Sequence, residues 1–214
     1  MPEELERKSA VATRRGDDGT TGLLFGGERV FKDEPRTEAC GAIDETVAAL
    51  GVVRAELGLM ALDGTLPRSL VRMPDLVLRI QRELFVAGAE LATAPTGLDR
   101  RLPGETRVTA EMVDGLDALL AETEAAVELP HEFVVPGETR LSAALELART
   151  VVRRAERRAV SIGRAEPVPG DQVVPYLNRL GDLLWVLARA AEQGESRTAT
   201  PSRAEPRRHR GRGA

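Results

Sequence analysis

The 214-residue sequence predicts an all-α fold, a five-helix bundle. Three observations point there. Five segments repeat apolar residues every three or four positions, the spacing of one helix face. No segment alternates polar and apolar residues for long enough to compete as a strand. The periodic segments run for roughly 18 to 24 residues, lengths that bundles use.

The first helix is expected from about Glu38 to Leu59, with Ile43, Val47, Leu50 and Leu57 on one stripe. The second, about Asp75 to Thr93, carries Leu76, Ile80, Leu84, Ala87 and Leu91. Pro74 stands where a first-turn proline belongs, because the amide it lacks has no helical partner there. The third runs from about Ala110 to Val127, with Met112, Leu116 and Leu119 inward and Thr109 as N-cap. The fourth, about Arg140 to Gly163, places Leu141, Ala144, Leu145, Ala148, Val152, Ala155 and Ala159 on its apolar face. The fifth, about Val174 to Gln193, does the same with Leu177, Leu180, Leu184, Leu187 and Ala191. Segments 60–73 and 94–108 hold Gly and Pro and read as loops.

The organisation expected is a flexible stretch over 1–11, one domain over 12–193 and a disordered tail over 194–214. From residue 196 the tail has six arginines, one glutamate and no large apolar residue, so it has nothing to bury. At 42% apolar residues the domain can fill a core. A net charge of −4 gives no general signal for nucleic acid or an anionic membrane. The single cysteine, Cys40, cannot form an internal disulfide, and one Cys with two distant histidines, His131 and His209, makes no zinc site. No run of 18 apolar residues spans a membrane, and the N-terminus lacks a secretory apolar region, so the expected location is the cytoplasm.

Four stretches carry candidate chemistry. TRRGDDGTTG, residues 13–22, matches neither a P-loop nor a dinucleotide fingerprint. Its glycines permit close backbone approach, and its amides and hydroxyls can cradle an anion. Read alone, it is a turn. In ELARTVVRRAERRAV, residues 146–160, Arg149, Arg153 and Arg157 follow an i, i+4, i+8 ridge, with Glu156 three residues after Arg153 and able to pair with it. A solvated face would look the same, yet three arginines repel one another unless an anion faces them, and guanidinium suits phosphate. In PYLNRLGDLLWVLAR, residues 175–189, Asn178, Asp182 and Arg189 lie on or near one polar stripe, as core hydrogen bonds or as ligand contacts. FVVPGETR, residues 133–140, sets Phe133 before the fourth helix, where a hydrophobic staple is the plain reading. Asp44, inside the first helix, meets either water or a cation.

Taken together and in this order, TRRGDDGTTG, GGERVFKDE, EACGAIDE, FVVPGETR, RTVVRRAERRAV and YLNRLGDLLWVLAR resemble the PduO-type ATP:cob(I)alamin adenosyltransferases over about residues 12–192. The resemblance implies a homotrimer of five-helix bundles with an N-terminal nucleotide-binding loop and active sites between subunits. It implies transfer of the 5′-deoxyadenosyl group of ATP to reduced cobalamin, releasing triphosphate, usually with Mg²⁺. Carried over by position, Thr13, Arg14, Arg15, Gly16, Thr20, Thr21 and Lys32 contact the nucleotide. Arg153, Arg154, Glu156, Arg157 and Asn178 do so from the helices of a neighbouring subunit. Asp44 and Arg149 form an intersubunit salt bridge, and Phe133 crowds the lower face of the cobalt. Arg15 replaces a usual threonine, Phe31 a usual proline, and Glu138 a usual small residue.

In that chemistry cob(I)alamin is the nucleophile and C5′ of ATP the electrophile. No proton leaves the nucleophile, which agrees with a sequence offering no catalytic histidine. Arginines, Lys32, loop amides and Mg²⁺ would stabilise the departing triphosphate. Reaching Co(I) from cob(II)alamin implies a reductase, flavin-dependent by analogy, and the product implies an adenosylcobalamin-dependent mutase as a consumer. The competing class is a trimeric ATP or corrinoid sensor or carrier without catalysis. The presence of the whole candidate set favours the enzyme.

Overall fold

The computed structural model describes residues 12–165 and 170–203. The expected flexible stretch 1–11 and the end of the tail, 204–214, lie outside the described residues. Helices dominate what is described: α1 (Pro35–Leu62), α2 (Met73–Ala92), α3 (Ala110–Ala126), α4 (Arg140–Ala165) and α5 (Val173–Gly194). The predicted stripes become the core. Leu50, Leu84, Leu145, Leu177 and Leu184 are fully buried where the helices meet. α1 packs against α4 and α2, α4 against α5, and α3 against α5.

The helix ends follow local chemistry. Pro35 sits in the first turn of α1, so the helix starts three residues before the apolar stripe suggested. Its C-terminus closes over Gly64, at φ +68°, with the Thr65 amide donating to the Met60 carbonyl at 2.8 Å. α4 starts with a reciprocal cap: the Ser142 amide donates to Thr139 Oγ1 (3.0 Å) and the Thr139 amide to Ser142 Oγ (3.2 Å). Thr109 is the N-cap residue of α3, with an extended backbone but no side-chain capping bond. The loops expected over 60–73 and 94–108 each contain a short 3-10 helix, Arg68–Leu70 and Pro95–Arg100.

Two short antiparallel pairs were not foreseen from the pattern. β1 (Thr20–Thr21) pairs with β2 (Val30–Phe31) in the N-terminal loop. β3 (Val134–Val135) pairs with β4 (Thr200–Pro201). The second pair corrects the expectation of a tail without structure from residue 194. Residues through Arg203 are described, and the Ser202 amide donates to the Phe133 carbonyl at 2.7 Å. Main-chain groups make this pairing, so it needs no apolar side chain.

Glu90 ties α2 to the segment after it. Its carboxylate, fully buried, accepts from the Val108 amide (2.6 Å) and pairs with Arg101 (2.7 Å). Burial pushes its carboxyl above the ordinary range, against the pull of the Val108 amide and of Arg101. Glu90→Ala would strand both partners. We expect a loss of about 3 kcal/mol, measured as a lower urea midpoint; an unchanged midpoint would contradict the role of this tie.

Candidate functional site

The N-terminal loop is folded by its own polar groups. Asp18 Oδ1 accepts from the Thr20 amide (2.9 Å) and from Thr20 Oγ1 (2.8 Å). Those bonds hold the Asp18 carboxyl below its usual range. Asp18 is therefore a turn cap rather than an open metal ligand. Arg29 staples the two sides together, its Nε donating to Thr20 Oγ1 (2.8 Å) and its Nη2 to the carbonyls of Arg15 (2.6 Å) and Thr20 (3.0 Å). Lys32 Nζ donates to the Gly16 carbonyl at 2.7 Å. A Cβ on Gly16 would lie 2.9 Å from that Nζ and 3.0 Å from the Thr20 carbonyl oxygen, so glycine is what lets the lysine close down. Arg14 holds φ +58°, a left-handed backbone that costs a non-glycine residue roughly 1 kcal/mol.

Thr13, Arg14, Arg15, Gly16, Thr20, Thr21 and Lys32 thus share one hairpin, with the first three and Lys32 exposed. Beyond itself, the hairpin is fastened to the end of α2, where Leu24 exchanges main-chain bonds with Ala92 (2.8 Å) and Ala94 (3.0 Å). Arg29 stands in the quoted GGERVFKDE stretch, yet the sequence reading assigned it no role. Arg29→Ala removes three bonds from the hairpin and touches no core residue. The expected result is a KM for ATP raised about tenfold at an unchanged melting temperature. An unaltered KM would show that the staple does not shape the loop.

The second cluster lies elsewhere in the chain. Arg149, Arg153 and Arg157 do form a ridge on α4, and all three line one cleft. Its opposite wall is the segment 130–136, carrying His131 and Phe133, with Trp185 of α5 and Ser202 and Arg203 of the tail. The cleft encloses about 1220 Å³, above the roughly 300–1,000 Å³ of ordinary small-molecule sites. Four arginines against two glutamates make it cationic.

Phe133 is 89% exposed, so it is not the staple that its position before α4 suggested. Its backbone is pinned from both sides: Val134 and Val135 pair with β4, and upstream Gln193 clamps both main-chain groups of Glu128 (2.6 and 3.1 Å). A rigid segment therefore holds an apolar ring out into the cleft.

The remaining candidates divide. Glu156 does not pair with Arg153. It accepts from Asn178 Nδ2 of α5 at 3.3 Å, which joins those two candidates across the α4–α5 contact. Arg154 points away from the cleft and pairs with Glu45 on α1. Arg149 Nε binds Glu146 Oε2 on its own helix at 2.6 Å. Asp44 is exposed on α1, one turn after Cys40, whose thiol is pushed up to about 11 by burial first and the Asp44 charge second. No thiolate chemistry is available there. Asn178 and Asp182 are exposed while Arg189 is buried, so their shared stripe runs from the surface into the core.

Sequence reasoning missed Glu146, Trp185, Ser202 and Arg203. Trp185 carried a signal, being the only tryptophan and lying on the Asn178–Asp182 stripe. Glu146 carried none, because a glutamate on a helix is ordinarily solvated.

A family model described as cobalamin adenosyltransferase matches residues 11–191. A corrinoid adenosyltransferase of Citrobacter freundii is 39% identical over 182 residues, covering 85% of this chain and 94% of the relative. A cobalamin adenosyltransferase of Cupriavidus metallidurans is 42% identical over 183 residues, covering 86% and 88%. Among solved structures, a variant of the PduO-type ATP:corrinoid adenosyltransferase from Lactobacillus reuteri, complexed with cobalamin and ATP, superposes with a TM-score of 0.75 at 28% identity. It covers 89% of this chain and 98% of that one. With a family match over nearly all the described residues, and relatives of close to the same length, this chain belongs to the cobalamin adenosyltransferase family.

Proposed function

We propose that this chain transfers the 5′-deoxyadenosyl group of ATP to the cobalt of cob(I)alamin, giving adenosylcobalamin and inorganic triphosphate. We propose further that it works as a homotrimer of five-helix bundles, in the cytoplasm, with sites between subunits. The observation that carries the reading is the cleft. An arginine ridge forms one wall, and a ring without a packing partner projects from the other. Such an arrangement suits a ligand that is anionic at one end and broad and apolar at the other.

The chemistry follows from those walls. The Co(I) lone pair attacks C5′, the C5′–O5′ bond breaks, and its electrons leave on triphosphate. Arg153 and Arg157 meet the growing charge with planar forks that match its oxygens, and these charge-assisted bonds strengthen as the bound substrates displace water. Glu156 and Asn178 brace each other beside them and orient the adenosine. The hairpin of Thr13, Arg14, Arg15, Gly16, Thr20, Thr21 and Lys32 closes over the phosphates from the adjoining subunit. Its ties to the rest of the chain run through Leu24, Phe25 and Phe31, to the end of α2, to Arg100 and to Thr37 of α1, while Thr13, Arg14, Arg15 and Lys32 stay exposed for a partner. Asp44 of that subunit meets Arg149 and seals the corrinoid end. Phe133 fills the lower face of the cobalt with carbon that cannot ligate it. An unligated Co(II) accepts an electron more readily, and a flavin-dependent reductase supplies it. An adenosylcobalamin-dependent mutase receives the product.

Magnesium fits these residues poorly as a resident ion. Among the described residues no three His, Cys, Asp or Glu side chains group as a metal site, and Asp18 is taken by Thr20. A magnesium ion arriving with ATP is held chiefly by phosphate oxygens and water, and no step here is routed through it.

The test is anaerobic mixing of the purified chain with ATP and chemically reduced cobalamin. The Co(I) absorbance is expected to fall only with ATP, with one triphosphate released per cobalamin consumed. ATP binding with no loss of Co(I) would favour the sensor or carrier instead.

A further inference from the structure

Beneath the cleft lies a row of charges that the steps above do not use. Glu146, Arg189 and Glu192 keep only 3%, 1% and 2% of their side-chain surface. Glu146 divides its carboxylate. One oxygen takes the Arg149 Nε hydrogen bond at 2.6 Å, and the other lies 3.2 Å from Arg189 Nη2. The same Nη2 donates to Glu192 at 2.8 Å, and the guanidinium carbon sits 5.6 Å from the Trp185 ring centre. Trp185, Glu146 and Arg149 all line the cleft, so the row meets it through Glu146, with Arg189 and Glu192 buried behind.

As a stabilising device the row is poor. Arg189 Nε and Nη1 and one Glu192 oxygen are buried without a hydrogen-bond partner. Buried ion pairs return little net stability, and stranded polar atoms subtract from it. What the row does achieve is a fixed arginine. An arginine on a helix face ordinarily samples many rotamers. Here the Nε edge of Arg149 is held inward, while its side chain stays 25% exposed at the cleft wall. Its two Nη groups have no bonding partner among the described residues.

We propose that Glu146, locked in turn by Arg189, is a positioning residue that presents the Nη edge of Arg149 across the cleft to the corrinoid side. The inference rests on the adenosyltransferase reading and adds a specific dependence to it. Glu146 touches no substrate; it acts through Arg149.

Glu146→Gln keeps the shape and removes the charge that fixes Nε. In the full-length protein the expected result is a KM for cob(I)alamin raised about tenfold, with the KM for ATP unchanged. In an Arg149→Ala background the same substitution is expected to add nothing, because both changes remove one interaction. A normal KM in Glu146→Gln, or an effect that multiplies with Arg149→Ala, would overturn the proposal while leaving the enzyme reading intact. If Glu146→Gln melts early, Glu146→Asp carries the test: it keeps the charge, withdraws it by one methylene, and should give the same selective KM rise. Unmodified protein that consumes no cob(I)alamin would overturn the enzyme reading and this inference with it.

Discussion

Arg153→Ala is expected to lower kcat by a factor of about 100 or more. That corresponds to roughly 3 kcal/mol, the typical loss when one preorganised donor to a developing oxyanion is removed. Arg153 stands in the middle of the α4 ridge, between Arg149 and Arg157, and lines both the cleft and the smaller hollow next to Glu156. It is exposed, and among the described residues it has no ion-pair partner. The fold therefore does not depend on it, and the melting temperature should stay within a degree or so of wild type. The loss should fall on kcat more than on the KM for ATP, because charge on the triphosphate is greatest as the C5′–O5′ bond breaks. Near-normal kcat with an unchanged melting temperature would remove the ridge from the chemistry.

Phe133→Ala should be the second large effect, and it should act at a different step. The ring is 89% exposed, so its loss leaves no cavity and no stability change is expected. Covering such a ring with a ligand contributes about 1.5–3 kcal/mol, which predicts a 10- to 100-fold loss in turnover starting from cob(II)alamin. With Co(I) supplied chemically the loss should be smaller, because the ring serves the reduction more than the transfer. The ATP-bound Co(II) form of the variant should show a weaker four-coordinate signal in magnetic spectra. An undiminished signal would show that something other than Phe133 clears the lower axial position.

The helices were legible because burial imposes a period. The stripe of α5, Leu177, Leu180, Leu184 and Leu187, is buried as spaced. Helix ends were less legible where chain direction matters more than hydropathy, as at Pro35. The two-residue strands were not legible at all. They rest on main-chain bonds, and a pair such as Val134–Val135 with Thr200–Pro201 is too short to show a period of two. The same limit explains the tail, whose polar composition misled as far as Arg203.

The site was legible in its residue types and less so in its pairings. Arg149, Arg153 and Arg157 share a ridge, as spacing on a helix requires. The partner of Glu156 proved to be Asn178 rather than Arg153, a contact between helices that spacing along one helix cannot reveal. Arg154 follows Arg153 directly, and a turn of about 100° per residue carries it round to Glu45 on α1. The burial of Glu146 and Arg189 was hidden for a related reason. Charged residues on helices are mostly solvated, and only the packing of α4 against α5 brings Glu146 and Arg189 together out of water.

If the hairpin of one subunit closes over the arginine ridge of the next, two inactive variants should repair each other. Lys32→Ala damages the hairpin wall and Arg153→Ala the ridge wall. Dissociated and reassembled together in equal amounts, they should form mixed trimers in which one site regains both intact walls. About a quarter of wild-type turnover is expected from random mixing in a closed three-fold ring. Turnover no higher than the sum of the two variants measured apart, with mixed trimers present by native mass spectrometry, would contradict a site divided between subunits.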